Sequence, residues 1–152
     1  MATGGGEPVF VDTNVLIYAN LARSPLHRVA QERLTALDEQ GIDLWISRQV
    51  LREYLASMTR RDDLTADIPM ASLVQDVRYF ASRFHVAEDS PQVTEQLLTL
   101  LQQVSLGGKQ IHDANIVATM QTYGIRQLLT HNIDDFRRFS GFISVLPLEA
   151  RA

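Results

Sequence analysis

Three acidic residues in this 152-residue chain have positions from which carboxylates could do chemistry: Asp12, Glu53 and Asp113. Asp12 directly follows Val9-Phe10-Val11, a buried-strand pattern, and the other two acids fall in the opening turns of predicted helices. Mg²⁺ and Mn²⁺ take oxygen ligands and usually keep several waters, so a few carboxylates are enough for a site. Such an ion lowers the pKa of a bound water and polarises a phosphoryl group. The acids therefore predict a divalent-metal site that needs no serine or histidine nucleophile.

The same acids also fit structural roles, and their spacing alone does not decide between the two interpretations. The helix macrodipole favours acids at helix N-termini, which would account for Asp12 and Asp113. Glu53 would then be an exposed helix residue. If the three carboxylates do cluster, at least one pKa must rise through like-charge repulsion, and a bound cation would remove that repulsion.

The elements that must position these acids follow from the pattern of apolar residues. Strand patterns are predicted at residues 9–11, 43–47, 85–87, 125–130 and 142–146. Helical patterns lie between them, near residues 15–18, 26–37, 47–58, 70–84, 91–104 and 111–123, with a short turn of helix at 134–139. Strands separated by helices imply right-handed crossovers. We therefore predict an α/β fold, a three-layer α/β/α sandwich with a central, mostly parallel sheet.

This fold class predicts where the acids meet. In open α/β sheets the functional crevice lies beyond the carboxyl ends of the strands. Asp12 ends the first predicted strand, and Thr130-His131-Asn132 follows the fourth. Glu53 and Asp113 begin helices that follow strands or loops at the same edge. Polar groups from distant parts of the chain thus converge on one edge of the sheet.

Composition sets limits on the class of protein. Residues 9–152 are long enough for one domain with its own core, and the Gly-rich residues 1–8 are interpreted as a flexible leader. The absence of cysteine excludes a thiol nucleophile and a cysteine-based zinc site. Apolar runs are too short to span a bilayer. We expect a cytoplasmic protein that does not associate with membranes.

The formal net charge of −4 argues against a protein that coats nucleic acid through a broad basic surface. A nuclease is still compatible with this charge, because a metal can bridge an acidic pocket to a phosphate. A local arginine cluster could steer a nucleic-acid strand, or it could simply be a solvated helix face. Its members are Arg48, Arg52, Arg60 and Arg61.

Four sequence blocks occur in a fixed order along the chain. They are Val9–Ile17 (VFVDTNVLI), Ser47–Tyr54 (SRQVLREY), Ile111–Thr119 (IHDANIVAT) and Leu129–Phe136 (LTHNIDDF). In composition and order they resemble the motif blocks of PIN domains, particularly the VapC-type toxins of bacterial toxin–antitoxin pairs. The resemblance covers about Val9 to Leu148. It implies a PIN-like fold and a metal-dependent endoribonuclease that hydrolyses RNA by metal-activated water.

The resemblance implies roles for individual residues. Asp12, Glu53 and Asp113 would be the catalytic, metal-binding acids, with Mg²⁺ as the cofactor and Mn²⁺ as a possible substitute. Thr13 or Thr130 would position a carboxylate or a phosphate. A further residue, Asn14, would tie the loop together rather than bind metal.

The fourth block departs from the family pattern, because many PIN domains have an acid where this chain has Asn132. The Asn132 amide oxygen could ligate the metal without adding charge. Asp135 could instead complete the metal site, or it could cap the short helix whose Phe136 enters the core. Both interpretations stay open on the sequence.

The resemblance also implies partners: an RNA substrate, a cognate antitoxin and a second copy of the chain in a homodimer. Helices near residues 26–37 and 73–80 could expose apolar surface for the antitoxin or for the dimer. Two alternatives stay open. One is a solitary PIN nuclease in RNA processing, and the other is a degenerate PIN fold that acts as a binding module.

Overall fold

The computed structural model describes residues 6–60 and 62–149, and these contain five strands and seven helices. The strands are β1 (Val9–Val11), β2 (Leu44–Ser47), β3 (His85–Ala87), β4 (Gln127–Thr130) and β5 (Ser144–Pro147). The helices are α1 (Thr13–Asn20), α2 (His27–Glu39), α3 (Arg48–Met58), α4 (Met70–Arg83), α5 (Pro91–Gln103), α6 (Gln110–Thr122) and a 3₁₀ helix (Ile133–Phe139). Residues 1–5 of the predicted leader, and Arg61 of the arginine cluster, lie outside the described residues.

The five described strands pair in parallel, in the order β3-β2-β1-β4-β5. The sheet is therefore wholly parallel, where the sequence predicted a mostly parallel one. From β1 the chain adds β2 and β3 on one side and later β4 and β5 on the other, so the strand order reverses between β1 and β4. Ligands bind at such a switch point, beyond the carboxyl ends of the strands.

Helices cover both faces of the sheet. Helix α1 packs against α2 and α3, and α3 packs against α4. Helix α5 packs against α6, which also contacts the 3₁₀ helix. Right-handed crossovers assign α1 to α4 to one face, and α5 and α6 to the other. This arrangement confirms the predicted three-layer α/β/α fold.

Local chemistry explains where the site-bearing helices begin. Helix α1 starts after Asp12, whose side chain accepts a hydrogen bond from the backbone N–H of Thr13. Helix α3 starts after Ser47, whose hydroxyl accepts from the backbone N–H of Val50 at 3.3 Å. Both are N-cap arrangements that satisfy otherwise unpaired amides. They fix the entry of each helix at the carboxyl edge of the sheet.

Two predicted strands begin two residues later in the structure. Ile125 was assigned to the fourth strand, but its N–H bonds to the Met120 carbonyl at 2.8 Å and closes α6 after Gly124, which has a φ of +70°. This is a helix-ending motif that glycine permits. Likewise the amide of Phe142 bonds back to Phe139 at 2.8 Å, so β5 starts only at Ser144. Apolar side chains at both positions created the apparent strand pattern.

The central strand β1 is fully buried, with zero exposure at Val9, Phe10 and Val11. Large buried side chains from both helical layers pack around it, including Tyr54 and Phe136. This packing holds the backbone that leads into Asp12. Across residues 6–60 and 62–149, no helix combines the length and apolar character needed to cross a membrane.

Candidate active site

Asp12 lies at the end of β1 and is only 6% exposed. Its Oδ1 accepts a hydrogen bond from the backbone N–H of Thr13 at 2.8 Å. Its Oδ2 accepts from Asn14 Nδ2 at 2.9 Å and from Thr130 Oγ1 at 2.8 Å. Burial raises the pKa of Asp12 to about 6, and the nearby charge of Glu53 also raises it, although these hydrogen bonds act in the opposite direction. The fold thus holds a carboxylate in a position that disfavours its negative charge.

Asn14 and Thr130 join the ends of β1 and β4 around this carboxylate. Asn14 Nδ2 also lies 3.1 Å from Thr130 Oγ1, and Asn14 Oδ1 accepts from the backbone N–H of His131 at 3.0 Å. Thr130 Oγ1 accepts from the backbone N–H of Asn132 at 3.0 Å. We call Asp12, Asn14 and Thr130 the strand-end cluster. It closes the crevice at the switch point of the sheet.

Glu53 lies in the second turn of α3 and is partly buried. Its Oε1 accepts from Thr13 Oγ1 at 3.0 Å, and its Oε2 accepts from Gln49 Nε2 at 3.0 Å. Thr13 therefore links the Glu53 carboxylate to the segment that carries Asp12. Of the two threonines predicted to position a carboxylate or phosphate, each contacts a different carboxylate: Thr13 that of Glu53 and Thr130 that of Asp12.

Gln49 is a site residue that sequence reasoning missed. It is 6% exposed, and its amide also contacts the backbone carbonyl of His112 and the side chain of Asn115. The signal was present in the sequence, because Gln49 stands four residues before Glu53 and thus on the same helix face. Its polar side chain lies beside the apolar residues of α3 that enter the core.

Asp113 lies in the first turn of α6 and is partly buried. Burial raises its pKa to about 7, and the charges of Asp12, Asp135 and Glu53 raise it further, while Arg138 lowers it. Within the described residues its carboxylate accepts no hydrogen bond. The structure thus brings all three sequence-predicted acids into electrostatic contact with one another.

Asn132 and Asp135 belong to an exposed segment, residues 131–135, which we call the rim segment. It lines a cavity of about 410 Å³. Asn132 occupies the N-cap position of the 3₁₀ helix without a side-chain capping bond, and Asp135 lies inside the first turn rather than at the cap. Asp135 is close enough to raise the pKa of Asp113.

The donor chemistry of this region fits a hard divalent cation. Within the described residues, however, no three acidic or histidine side chains converge tightly enough to form a ready-made metal site. The case for a metal site therefore depends on the chemistry of Asp12, Glu53 and Asp113 taken together. Their donors are oxygens, and Asp12 and Asp113 both have a raised pKa. A cation stabilises the charged form of such carboxylates and relieves their mutual repulsion.

Two arginines of the predicted strand-steering cluster have acidic partners. Arg48 contacts both carboxylate oxygens of Glu88, at 3.2 and 2.9 Å, and Arg52 lies 3.6 Å from Asp89. These side chains are solvent-exposed, and exposed ion pairs are weak. The contacts favour the interpretation of a solvated helix face for Arg48 and Arg52.

Comparison with known proteins identifies relatives over most of the chain. The family model of the PIN domain matches residues 9–141. The chain is 30% identical over 135 residues to ribonuclease VapC48 of Mycobacterium tuberculosis, across 86% of this chain and 90% of that protein. The family-model match covers all four sequence blocks.

Solved structures share the fold. The crystal structure of VapC20 from Mycobacterium tuberculosis, a toxin that cleaves the sarcin-ricin loop, matches with a TM-score of 0.67 and 19% identity, over 91% of this chain and 99% of that chain. VapBC2 from Rickettsia felis, bound to a promoter DNA fragment, matches with a TM-score of 0.65 and 21% identity, over 91% of this chain and 97% of that chain. A toxin–antitoxin complex from Klebsiella pneumoniae matches with a TM-score of 0.64 and 24% identity, over 94% of this chain and 99% of that chain.

Proposed function

Since the chain belongs to the PIN-domain family, we propose that it is a metal-dependent endoribonuclease, the toxin of a toxin–antitoxin pair. One observation carries the proposal. Asp12 and Asp113, which lie 101 positions apart in the sequence (113 minus 12), meet at the switch point of the sheet with pKa values raised to about 6 and about 7. Strongly perturbed carboxylates in a crevice are typical of functional sites.

Asp12, Glu53 and Asp113 would hold Mg²⁺, or Mn²⁺ in its place. When bound, the ion supplies an activated water and stabilises the negative charge that develops on the phosphate. The protein supplies the geometry: Thr130 and Asn14 hold the Asp12 carboxylate, and Thr13 holds that of Glu53. Because Asp12 is buried, water screens the charge of its carboxylate less, and its attraction to a cation is stronger.

We infer that Asp135, rather than Asn132, supplies the fourth oxygen donor. Asp135 carries a charge that the Asp113 carboxylate senses, whereas the exposed Asn132 side chain is neutral. Both residues lie on the exposed rim segment, from which RNA can reach the acids. Since a ribonuclease toxin acts where cellular RNA is found, we expect a cytoplasmic location.

The partner proposal rests on a groove between α1, α2 and α4. The groove has a volume of about 560 Å³, and its lining combines apolar residues such as Leu34 and Phe84 with polar residues such as Gln31 and Arg83. Tyr79, also in the lining, is 59% exposed. A groove between helices that offers both apolar and polar side chains suits an amphipathic segment of a partner. We propose this groove for an antitoxin segment; a homodimer through another face stays a prediction.

The experiment is cleavage of structured RNAs by purified protein with Mg²⁺, Mn²⁺ or EDTA. Asp12→Asn is the test variant, and Asp63→Asn is its matched control, because Asp63 is exposed and lies in the loop after α3. We expect cutting that requires metal, falls about a thousandfold in Asp12→Asn and persists in Asp63→Asn, since a metal centre lowers the barrier by several kcal/mol.

Two results would contradict the proposal. Equal cutting by wild type and Asp12→Asn would indicate a contaminating nuclease. Wild-type protein that binds Mn²⁺ but cuts none of the RNAs tested would instead favour a binding module. The cognate antitoxin would then have no cleavage activity to inhibit.

A further inference from the structure

The Gln49 side chain links the Glu53 carboxylate to the helix turn that carries Asp113. Its Nε2 donates to Glu53 Oε2 at 3.0 Å and to the backbone carbonyl of His112 at 2.9 Å. Its Oε1 accepts from Asn115 Nδ2 at 2.7 Å. His112 directly precedes Asp113, and Asn115 follows it by two positions. One amide group thus links the Glu53 carboxylate to the first turn of α6.

The orientation of this amide follows from its neighbours. A carboxylate and a backbone carbonyl are both acceptors only, so the group that faces Glu53 and His112 must be the NH₂. The remaining oxygen then faces Asn115, which offers its own NH₂. Both protons and the oxygen of the Gln49 amide are therefore engaged, and an inverted amide would lose all three contacts.

The link matters because the two helices belong to different layers. Helix α3 packs with α1 and α4, whereas α6 packs with α5 and the 3₁₀ helix on the other face of the sheet. Packing between neighbouring helices therefore does not fix the distance from Glu53 to Asp113. In residues 6–60 and 62–149, the side-chain hydrogen bonds that join α3 to α6 are those of Gln49.

We propose that Gln49 is a positioning residue that sets the separation between the Glu53 and Asp113 carboxylates. The inference rests on the proposed function, since these acids are the proposed metal ligands. Gln49 would touch neither the metal nor the RNA and would act through Glu53. Partners that orient metal ligands commonly change metal affinity by about tenfold to a hundredfold when they are removed.

The first test is Mn²⁺ binding by calorimetry to the full chain and to Gln49→Met, which keeps the side-chain length and removes all three hydrogen bonds. The matched control is Gln96→Met. Gln96 Nε2 donates to Gln121 Oε1 at 3.1 Å and thus joins α5 to α6 away from the acids. We expect about a tenfold loss of Mn²⁺ affinity in Gln49→Met and none in Gln96→Met.

A double-mutant cycle shows whether Gln49 acts through Glu53. In the Glu53→Ala background, which has no side-chain acceptor for the Gln49 N–H, Gln49→Met should cause no further loss of Mn²⁺ affinity. An equal loss in both backgrounds would overturn the positioning role, because Gln49 would then act independently of Glu53. Unchanged affinity in the single variant would overturn it as well.

A metal-free measurement separates this inference from the proposed function. Urea unfolding of Gln49→Met, Asn115→Ala and the double variant should give midpoint losses that do not add, because both substitutions break the same bridge. Additive losses would overturn the bridge. If the wild-type chain binds no Mn²⁺, the proposed function fails, while the urea cycle still decides whether Gln49 joins the two helices.

Discussion

The strand-end cluster and the rim segment lie on the same crevice but differ in how firmly they are held. Asp12 and Thr130 are 6% and 0% exposed, and hydrogen bonds join them to each other and to Asn14. In the rim segment, Asn132 and Asp135 are exposed. The side chains of the strand-end cluster are therefore fixed before any ligand arrives. Those of Asn132 and Asp135 make no hydrogen bond within the described residues and can adjust to a ligand.

This contrast separates two tasks in one site. A buried carboxylate with a raised pKa is costly to ionise, so its position must be imposed by the surrounding fold. Exposed donors have little such cost, and they can adopt the geometry that a substrate or ion requires. We expect changes in the strand-end cluster to impair activity strongly, and changes in the rim segment to adjust it.

Among the variants that compare these two regions, Thr130→Val should have the largest effect on RNA cleavage. Thr130→Val keeps the shape of the side chain but removes the hydroxyl that donates to Asp12 and accepts from the Asn132 N–H. We expect RNA cleavage to fall about tenfold to a hundredfold, as for other partners that orient metal ligands. Asn132→Ala in the rim segment should lower RNA cleavage by less, about threefold, because it removes at most a neutral oxygen ligand of the metal. The measurement is single-turnover cleavage at saturating Mg²⁺.

Thr119→Val is the matched control for this comparison. Thr119 is also buried, but its hydroxyl donates to the Asn115 carbonyl within α6. Its cleavage rate should stay close to that of the wild type. If Asn132→Ala lost more activity than Thr130→Val, the contrast between a fixed cluster and an adaptable rim segment would be wrong.

The next effect concerns stability as a function of pH. Asp12 and Asp113 have pKa values raised from 3.8 to about 6 and about 7 in the folded protein. Between about pH 4 and pH 7 the folded state therefore binds more protons than the unfolded state, and stability falls as the pH rises. Without metal, the unfolding temperature should decrease across this window and level off above it. Asp62 and Glu88 have lowered pKa values, so they change stability only at more acidic pH.

Differential scanning calorimetry at a series of pH values checks this prediction. Asp113→Asn should flatten the decrease, whereas Asp63→Asn should leave it unchanged. Mg²⁺ at about a hundred times its Kd should add about 2.7 kcal/mol of stability at pH 7, where the carboxylates are charged. A wild-type curve that rises from pH 4 to pH 7 would contradict the raised pKa values.

The fold and the three acids could be predicted from the sequence for related reasons. Alternation of strand and helix patterns specifies a parallel α/β sheet, and β1 is so apolar that its end is unambiguous at Asp12. Once the fold is set, the carboxyl ends of the strands define the crevice. The assignment of Glu53 and Asp113 needed the family resemblance, because an acid at a helix start has a structural explanation as well.

The bridge through Gln49 could not be predicted in the same way. Its partners on α6 are 63 and 66 positions away, and one of them is a backbone carbonyl that any residue would provide. Such a contact depends on how two layers meet past the strand ends, which local periodicity does not report. The strand ends at Ile125 and Phe142 were misjudged because burial, rather than sheet pairing, explains their apolar side chains.

The smallest expected effect is a change in Mn²⁺ affinity that shows whether residue 132 or residue 135 of the rim segment reaches the metal. Asn132→Asp restores an acid where many PIN domains have one, on the same rim segment as Asp135, whose charge reaches Asp113. Extra ligand charge strengthens binding of hard cations, but solvent screens an exposed site, so we expect Mn²⁺ affinity to rise only about threefold to tenfold. Gln40→Glu adds the same charge at an exposed position that ends α2, and calorimetry should find its Mn²⁺ affinity unchanged.

If Asn132→Asp bound Mn²⁺ no better than Gln40→Glu, residue 132 would lie outside the reach of the ion. Asp135 would then be the donor of the rim segment, and Asp135→Asn should lower the affinity in both the wild-type and the Asn132→Asp backgrounds.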